Sequence, residues 1–343
     1  MRHVSRESRS AMDSATAARR ASELSFWKPG VEIVPASEQV AALGLGCGRT
    51  NQNFIATYPN GGGRFFVRIG LDLPEWGVTR VKEQAAARAA AASGIGAAVV
   101  HAELPDVLVT EFVDGRALTE AQVHAAVSGD DEPMLRALTA AMRKLHATPL
   151  PAELLEGSHA APRWSPPDLQ HWIAYAREGG YSRLPLLDDC DALIAKAESF
   201  VESGWPAAAP AFCHFDLLPD NFVVRREREH VHVAIVDFEY TNPGQPLMDL
   251  AILSMGCALS AAEERRLLAG YLQVDAIDDA DASRFLALKM LATLRETFWG
   301  VLAEVSGASA LTPEAAASYV DENYVKYVAA RKEFEACLAP RSA

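Results

Sequence analysis

The sequence predicts an α+β protein of two lobes: a small N-lobe built on an antiparallel sheet with one main helix, and a larger, mostly helical C-lobe. Short apolar segments around a glycine-rich turn at residues 60–63 indicate a β-hairpin in the N-lobe. The alanine-rich residues 78–93 predict its main helix. Beyond residue 114, apolar residues recur at helical spacing, which favours a helical C-lobe.

The chain divides into three parts. Residues 1–25 are rich in Arg, Ser and Ala without a regular apolar period, so we expect a disordered tail. Residues 26–113 are predicted to form the N-lobe and residues 114–343 the C-lobe. With 343 residues, the chain is long enough for two lobes that each bury a core.

The N-lobe elements follow from short apolar runs and their breaks. Residues 41–51 form a turn punctuated by glycines, and residues 54–58 and 65–69 are the two strands of the hairpin. Residues 99–100 and 108–113 are two further strand candidates, and the Asp-Gly pair after them breaks the chain.

The C-lobe elements follow from helical periodicity. Apolar residues at 135, 138, 142 and 145 predict a helix over residues 135–146. Several prolines indicate a loop over residues 149–167, whereas residues 168–204 predict two helices. Residues 260–337 are rich in Ala and Leu and predict further helices.

Composition excludes several classes of protein. Half of the residues are hydrophobic and 22% are charged, which excludes a mostly disordered chain. The 45 acidic and 32 basic residues give a formal net charge of −13, which argues against general nucleic-acid binding and would attract cationic small molecules.

We also expect a cytoplasmic protein without a membrane partner. No segment offers the roughly 20 apolar residues of a membrane span, and the first ten residues lack the apolar stretch of a signal peptide. The five cysteines are widely spaced without a CxxC pair, so we expect reduced thiols and no zinc site.

The residues that carry chemistry are concentrated between residues 212 and 253. Two apolar strand candidates flank a charged turn at residues 225–230, so a hairpin there would bring Asn221 and Asp237 to the same end. An Asp and an Asn side by side make an oxygen-ligand site suited to Mg²⁺. Asp216 is then free to accept a proton from a hydroxyl group. Phosphoryl transfer needs this combination of positioning, metal and base.

This block resembles a known family. Residues 214–221 (HFDLLPDN) and 237–239 (DFE) resemble the catalytic and metal-binding loops of the protein-kinase-like fold, in the version of aminoglycoside phosphotransferases and choline/ethanolamine kinases. Protein kinases have Gly where this sequence has Glu239, which favours a small-molecule kinase. The resemblance implies catalytic roles for Asp216, His214 and Asp249, the last as a brace of the catalytic loop, and metal-ligand roles for Asn221 and Asp237.

The resemblance extends to the N-lobe. The glycine-punctuated turn resembles the Gly-x-Thr-Asn segment of choline kinases, whose backbone N–H groups can cradle phosphates. Arg68 occupies the slot of the protein-kinase Lys, Glu83 resembles its helical partner, and residues 111–113 resemble the hinge that holds adenine. The nucleotide-binding residues implied in this way are Gly46, Gly48, Thr50, Asn51, Arg68, Glu83, Glu111 and Val113.

The third set concerns the acceptor. Residues 294–300 resemble the choline/ethanolamine kinase segment that brings a Trp into the acceptor pocket, and aromatic faces are the physical solution for binding a quaternary ammonium group. Family members often carry a second Trp three residues later, where this sequence has Leu302, so the aromatic cage is less complete. The acceptor-binding residues implied are Glu239, Tyr240, Trp299 and Tyr319.

The resemblance therefore implies an ATP-dependent phosphotransferase that uses Mg²⁺, with ATP as co-substrate and a small cationic amino alcohol as acceptor. Choline is the leading candidate, and a homodimer is left open. The same fold would equally serve an aminoglycoside, thiamine, a sugar or another hydroxyl metabolite. A catalytically inactive kinase-fold binding protein is the remaining alternative, against which the intact Asp216, Asn221 and Asp237 argue.

Overall fold

The computed structural model describes residues 12–37, 51–156, 164–205, 209–228, 230–306 and 311–338. The strands are β1 (Glu32–Pro35), β2 (Gln52–Thr57), β3 (Arg64–Ile69), β4 (Val99–Glu103), β5 (Val107–Glu111), β6 (Arg116–Ala117), β7 (Ala211–Cys213), β8 (Phe222–Glu227), β9 (His230–Ile235) and β10 (Asn242–Gly244). The helices are α1 (Ser14–Ser22), α2 (Arg80–Ala92), α3 (Glu120–Ser128), α4 (Glu132–His146), α5 (Ala152–Leu155), α6 (Pro167–Glu178), α7 (Cys190–Glu202), α8 (Leu247–Gly256), α9 (Ala261–Leu272), α10 (Asp279–Ser306) and α11 (Pro313–Leu338).

The N-lobe is an antiparallel sheet with the strand order β1-β2-β3-β5-β4 in the described part of the chain. The predicted hairpin is confirmed as β2 and β3, whose turn is closed by a hydrogen bond from the Tyr58 N–H to the Gly63 carbonyl at 3.1 Å. The predicted main helix is α2. It stops at Gly94, whose φ of 68° a residue with a side chain rarely adopts.

The sheet is covered on both faces. Because side chains alternate along a strand, Phe66 and Arg68 of β3 point to one face and Val67 to the other. The first face lines the space between the lobes. On the second face, Phe54, Val67 and Val109 pack into an apolar cluster with α1. The N-lobe core therefore needs a covering element that precedes the sheet in the chain.

That element lies where the sequence predicted a disordered tail. The prediction for residues 1–25 is wrong for the part that the structure describes, because Ser14–Ser22 forms α1. Ala17 and Ala21, one helical turn apart, are fully buried against the sheet. Residues 1–11 lie outside the described residues.

Polar contacts fix α1 at both ends. The Asp13 carboxylate caps the helix by accepting a hydrogen bond from the Thr16 N–H at 2.9 Å. In the last turn, the Arg20 guanidinium donates to Asp106 at 2.9 Å and to Glu103 at 2.6 Å, on and beside the β4–β5 hairpin. The helix is thus attached to a hairpin more than eighty residues away.

The C-lobe is helical, as predicted. The predicted helix over residues 135–146 is confirmed within α4, the two helices over 168–204 are α6 and α7, and the region 260–337 forms α9, α10 and α11. The predicted loop over residues 149–167 contains the short α5. Helix α10 is the central helix of the lobe, and its residues 285–303 are almost entirely buried. Within the described chain, no helix is both long and apolar enough to cross a membrane.

The predicted hairpin after the catalytic block is confirmed as β8 and β9. Phe222 of β8 stands opposite Ile235 of β9, and the Val236 N–H donates to the Asn221 carbonyl at 3.0 Å. This register places Asn221 next to the residue that precedes Asp237. The two predicted metal ligands therefore share one end of the hairpin.

We expect the docking of α1 to contribute measurably to stability. Leu24, 3% exposed, belongs to the same apolar cluster as Val67 and Val109. Leu24→Ala should lower the free energy of unfolding by about 2 kcal/mol, at the lower end for a buried leucine. Urea denaturation measures this, with the exposed Ser25→Ala as control. Equal stability of the two variants would contradict the docking of α1.

Candidate active site

The two lobes meet around a cleft of about 570 Å³. Strands β2, β3 and β5 of the N-lobe sheet form its roof, and the loops after β7 and β9 form its floor, with α10 and α11 at one end. Twelve residues that the sequence analysis assigned to binding the nucleotide, the metal or the acceptor, or to the role of base, line this one cleft. They are Asn51, Arg68, Glu83, Glu111, Val113, Asp216, Asn221, Asp237, Glu239, Tyr240, Trp299 and Tyr319. His214 and Asp249 are fully buried, and Gly46, Gly48 and Thr50 lie outside the described residues.

Asp249 holds the backbone of the loop that carries the predicted base. Its Oδ2 accepts the N–H of His214 and its Oδ1 accepts the N–H of Phe215, both at 2.8 Å, and His146 Nε2 lies 2.9 Å from Oδ2. Phe215 has a φ of 59°, a left-handed conformation that costs a non-glycine residue about 1–2 kcal/mol. Because Asp249 is fully buried beneath the loop, it is placed to position the base rather than to contact a substrate.

His214 connects this loop to the loop between β9 and β10, residues 236–241, which carries Asp237 and is called the metal loop below. Its Nε2 lies 3.0 Å from the Val236 carbonyl oxygen, and its Nδ1 lies 3.2 Å from the Asp216 N–H, which donates to it. Burial lowers the pKa of His214 to about 4. The ring is therefore neutral, with one donor and one acceptor nitrogen, as these two contacts require. His214, like Asp249, positions its neighbours.

Asp216 stands at the floor of the cleft beside Asn221. The Asn221 side-chain amide donates to the Asp216 carboxylate Oδ2 at 2.9 Å and to the Asp216 carbonyl at 2.7 Å. Burial raises the pKa of Asp216 well above its usual range; the nearby Glu296 adds to the rise and Arg295 opposes it. A carboxylate with a raised pKa accepts a proton more readily. Because the Asn221 amide nitrogen faces Asp216, its Oδ1 is the atom available to a metal ion.

The donor set around Asp237 fits Mg²⁺. The carboxylate of Asp237 and the amide oxygen of Asn221 are hard oxygen ligands, which this ion prefers. Burial raises the pKa of Asp237 to about 8, with further contributions from Glu239 and Glu83, while two buried arginines oppose the rise. The carboxylates of Asp237, Glu83 and Glu239 are thus close enough to disfavour one another's negative charge, which a bound divalent cation would offset.

Arg68 and Glu83 form the ion pair that the resemblance implied. Arg68 Nη2 lies 2.5 Å from Glu83 Oε2, and both side chains are about 95% buried. The same carboxylate oxygen accepts a hydrogen bond, at 2.7 Å, from Arg80 Nη1. Arg80 is fully buried, and the sequence analysis did not select it. Its signal in the sequence is its place three residues before Glu83, on the same face of α2.

Asn51 and Glu239, which both line the cleft, contact each other. The Asn51 amide donates to Glu239 Oε2 at 2.9 Å, and Arg80 Nη1 donates to the same oxygen at 3.2 Å. The sequence assigned Asn51 to the nucleotide and Glu239 to the acceptor. The structure joins these two side chains where the N-lobe and the metal loop meet.

Residues 111–113, which the resemblance identifies as the hinge, continue from the end of β5, an inner strand of the sheet. The Glu111 N–H donates to the Ala98 carbonyl at 2.8 Å and the Phe112 N–H donates to the Arg64 carbonyl at 3.0 Å. The Glu111 residue is largely exposed to solvent. A contact with adenine at this position would therefore use the backbone, as the resemblance implied.

Three predicted aromatic residues meet at the other end of the cleft. The Trp299 indole N–H donates to the Tyr240 hydroxyl at 3.0 Å, and the Trp299 and Tyr319 rings stand edge to face with centroids 5.1 Å apart. The Tyr319 hydroxyl hydrogen-bonds to Glu296. Glu296 is 7% exposed and lines the cleft, but the sequence analysis did not select it.

The Tyr240 ring already contacts a cation of the protein. The Arg295 guanidinium lies 5.2 Å from the centroid of the Tyr240 ring and 4.8 Å from that of Trp172. Asp168 neutralises this arginine through hydrogen bonds of 2.6 to 3.1 Å. Tyr240 therefore contacts this arginine as well as lining the cleft. Trp299, Tyr319 and Glu296 make up the rest of the acceptor end.

Comparison with protein families now identifies the chain. The model of the phosphotransferase enzyme family matches residues 42–319, most of the sequence, so the chain belongs to this family. A search of curated proteins finds no match. The resemblance to aminoglycoside phosphotransferases and choline/ethanolamine kinases is confirmed at the level of family and fold.

Solved structures show the same fold at low identity. Plasmodium vivax ethanolamine kinase is similar with a TM-score of 0.68 and 16% identity, covering 91% of this chain and 85% of that one. A choline/ethanolamine kinase family protein from Mesorhizobium loti gives 0.61 and 23%, covering 88% and 98%. The GDP complex of aminoglycoside 2'-phosphotransferase-IIIa gives 0.60 and 15%, covering 93% and 97%. Kinases with different acceptors thus share this bilobal architecture.

The role of Asp249 can be tested by replacing one of its carboxylate oxygens with an amide nitrogen. In Asp249→Asn, an NH₂ group replaces one acceptor oxygen, so one of the two loop N–H groups loses its partner. The free energy of unfolding should fall by about 1–3 kcal/mol, and kcat should fall about 10²-fold as the base shifts. Calorimetry and ADP release measure the two effects, with the exposed Asp275→Asn as control. Wild-type turnover in Asp249→Asn would show that the brace is dispensable.

Proposed function

We propose that this chain transfers the γ-phosphoryl group of ATP directly to the hydroxyl group of a small amino alcohol, with choline and ethanolamine as the leading acceptors. One observation carries the proposal. A single cleft holds the Asp216 carboxylate between an Asn221–Asp237 oxygen pair and a pocket of two aromatic rings and a buried carboxylate.

The N-lobe side of the cleft would receive the nucleotide. Asn221 and Asp237 would hold Mg²⁺, which when bound neutralises phosphate charge and orients the transferred group. Arg68 is fixed by Glu83 and faces the cleft, so its positive charge would stabilise the negative charge of the phosphates. The hinge backbone would hold the adenine edge.

Asp216 would act on the acceptor hydroxyl. Its hydrogen bond from Asn221 fixes the orientation of the carboxylate, and its raised pKa favours proton acceptance. The hydroxyl oxygen would attack phosphorus in line as Asp216 takes up its proton. No covalent intermediate of the protein is needed.

The aromatic end would bind the ammonium group of the acceptor. Trp299 and Tyr319 line this end of the cleft, and an aromatic face that a cation reaches there would attract it when water is excluded. Glu296, buried beside them and hydrogen-bonded to the Tyr319 hydroxyl, would supply a carboxylate to the ammonium group. A small molecule with one ammonium and one nearby hydroxyl would satisfy both this pocket and Asp216.

The role of Asp216 predicts a selective loss of kcat. Asp216→Asn keeps the shape of the side chain and removes the proton acceptor, a contribution typically worth about 10²–10⁴-fold. We expect kcat to fall within that range while the dissociation constant for MgADP and the thermal stability stay near those of the wild type.

Steady-state ADP release and calorimetric titration of MgADP measure these quantities, with Asp275→Asn as a matched control. A variant that keeps kcat but loses nucleotide affinity would move Asp216 from the base role to the nucleotide site.

The acceptor is tested by a panel and one substitution. The wild type should turn over choline or ethanolamine faster than thiamine, sugars or kanamycin. Trp299→Ala should raise KM for the amino alcohol about thirtyfold, since a desolvated cation–π contact is worth about 2 kcal/mol. KM for ATP should stay unchanged.

Trp205→Ala removes an indole outside the cleft and is the control. Wild-type turnover of kanamycin with none of choline or ethanolamine would reject the amino alcohol and favour the aminoglycoside alternative. The absence of ADP release with every acceptor would favour the inactive binding protein.

A further inference from the structure

We propose that Arg80 is a positioning residue of the nucleotide site, which holds Asn51, Glu83 and Glu239 together so that the N-lobe is locked onto the metal loop. The inference rests on the proposed phosphoryl transfer but not on the identity of the acceptor. It concerns a residue that neither the motifs nor the predicted ion pair of the site include.

The contacts of Arg80 form a closed ring. Its Nη2 donates to Asn51 Oδ1 at 2.7 Å, and its Nη1 donates to Glu239 Oε2 at 3.2 Å. The Asn51 amide closes the ring by donating to the same Glu239 oxygen at 2.9 Å. Because Oδ1 must accept from Arg80 and the amide nitrogen must donate to Glu239, only one of the two orientations of the Asn51 amide is possible. Asn51 and Glu239 are thus fixed relative to each other through one guanidinium.

The same guanidinium also fixes the ion pair of the site. Glu83 Oε2 accepts a hydrogen bond from Arg80 Nη1 at 2.7 Å and forms an ion pair with Arg68 Nη2 at 2.5 Å. Arg80 Nε donates to the Leu71 carbonyl at 2.8 Å, which ties the network to the loop after β3. A planar guanidinium can serve all these acceptors at once, whereas a lysine ammonium cannot reproduce the fork.

The network crosses the two lobes. Asn51, Glu83 and Arg80 belong to the N-lobe, whereas Glu239 follows the metal ligand Asp237 by two residues in the C-lobe. Arg80 is fully buried, and Glu83 and Glu239 are 3% and 6% exposed. In such a low-dielectric place each charge needs its partner, so the arrangement is rigid rather than one of several alternatives. Phosphoryl transfer depends on that kind of fixed geometry.

A glycine beside the ring shows how closely it is packed. A Cβ atom on Gly70 would lie 2.3 Å from Asn51 Oδ1 and 3.1 Å from Arg80 Nη2. Both atoms belong to the ring, so Gly70→Ala would displace it without removing any charge. This gives a second perturbation that is independent of the arginine itself.

The experiment compares Arg80→Met, Arg80→Lys and Gly70→Ala with Arg88→Met, which changes an exposed arginine on the same helix. Arg80→Met should raise the dissociation constant for MgADP and KM for ATP about tenfold to a hundredfold, the range expected for lost charge-assisted hydrogen bonds. Arg80→Lys should restore part of the loss. KM for the acceptor should change less than twofold, and Arg88→Met should behave as the wild type.

A double-mutant cycle separates positioning from general destabilisation. If Arg80 acts through Glu239, Arg80→Met combined with Glu239→Gln should bind MgADP no more weakly than Arg80→Met alone. Additive losses, or a folded Arg80→Met with wild-type affinity for MgADP, would overturn the proposal. If Arg80→Met does not fold, Gly70→Ala decides: weaker MgADP binding supports the lock and unchanged binding rejects it.

Direct titration with MgADP keeps the two proposals apart. It reports on Arg80 whether or not an amino alcohol is the acceptor. Wild-type turnover of the acceptor panel, in contrast, reports on the proposed function whether or not Arg80 positions the nucleotide.

Discussion

The carboxylate of Asp249 fixes the rest of the active-site geometry. Buried without any exposed surface, it accepts the N–H groups of His214 and Phe215 and so stabilises a loop whose second residue is in the left-handed region. His214 then contacts the carbonyl of Val236, the residue before Asp237. Asp237 is itself in the left-handed region, with a φ of 67°. One buried carboxyl group thus determines where both the loop of Asp216 and the loop of Asp237 run. A polar group at such a buried position needs the hydrogen-bond donors that surround it.

Around that frame, the cleft concentrates charge instead of avoiding it. Glu83, Asp237 and Glu239 lie close together and are partly balanced by Arg68 and Arg80. The two arginines offset only part of the effect of burial and of the two glutamates. The pKa of Asp237 is therefore raised to about 8. A divalent cation would neutralise the carboxylates, and a polyphosphate would neutralise the arginines. The site would then be organised for the charges of the proposed ligands before they bind.

The sequence alone predicted the elements whose signals are local. The β8–β9 hairpin follows from two apolar runs around a charged turn, and its register brings Asn221 and Asp237 together. Helix α1 was missed because its buried face consists of two alanines and its partners lie far along the chain. The local signal that could have pointed to such an element is the apolar run of Phe54, Ile55 and Ala56, because a strand buried on both faces is apolar at successive positions. Arg80 was missed because Glu239 is 159 residues away, and a charged helical residue is expected at the surface.

The acceptor end shows the same dependence on distant partners. The motif placed Tyr240 in an aromatic cage, yet the Arg295 guanidinium lies near its ring, and Asp168, 127 residues away, holds that arginine. An ammonium ligand would therefore rely more on Trp299 and on the charge of Glu296 than on a complete cage. A carboxylate attracts a primary and a quaternary ammonium alike, and a primary one can also donate hydrogen bonds to it. Such a pocket would give less preference for full methylation than a purely aromatic one, which is why choline and ethanolamine are proposed together as acceptors.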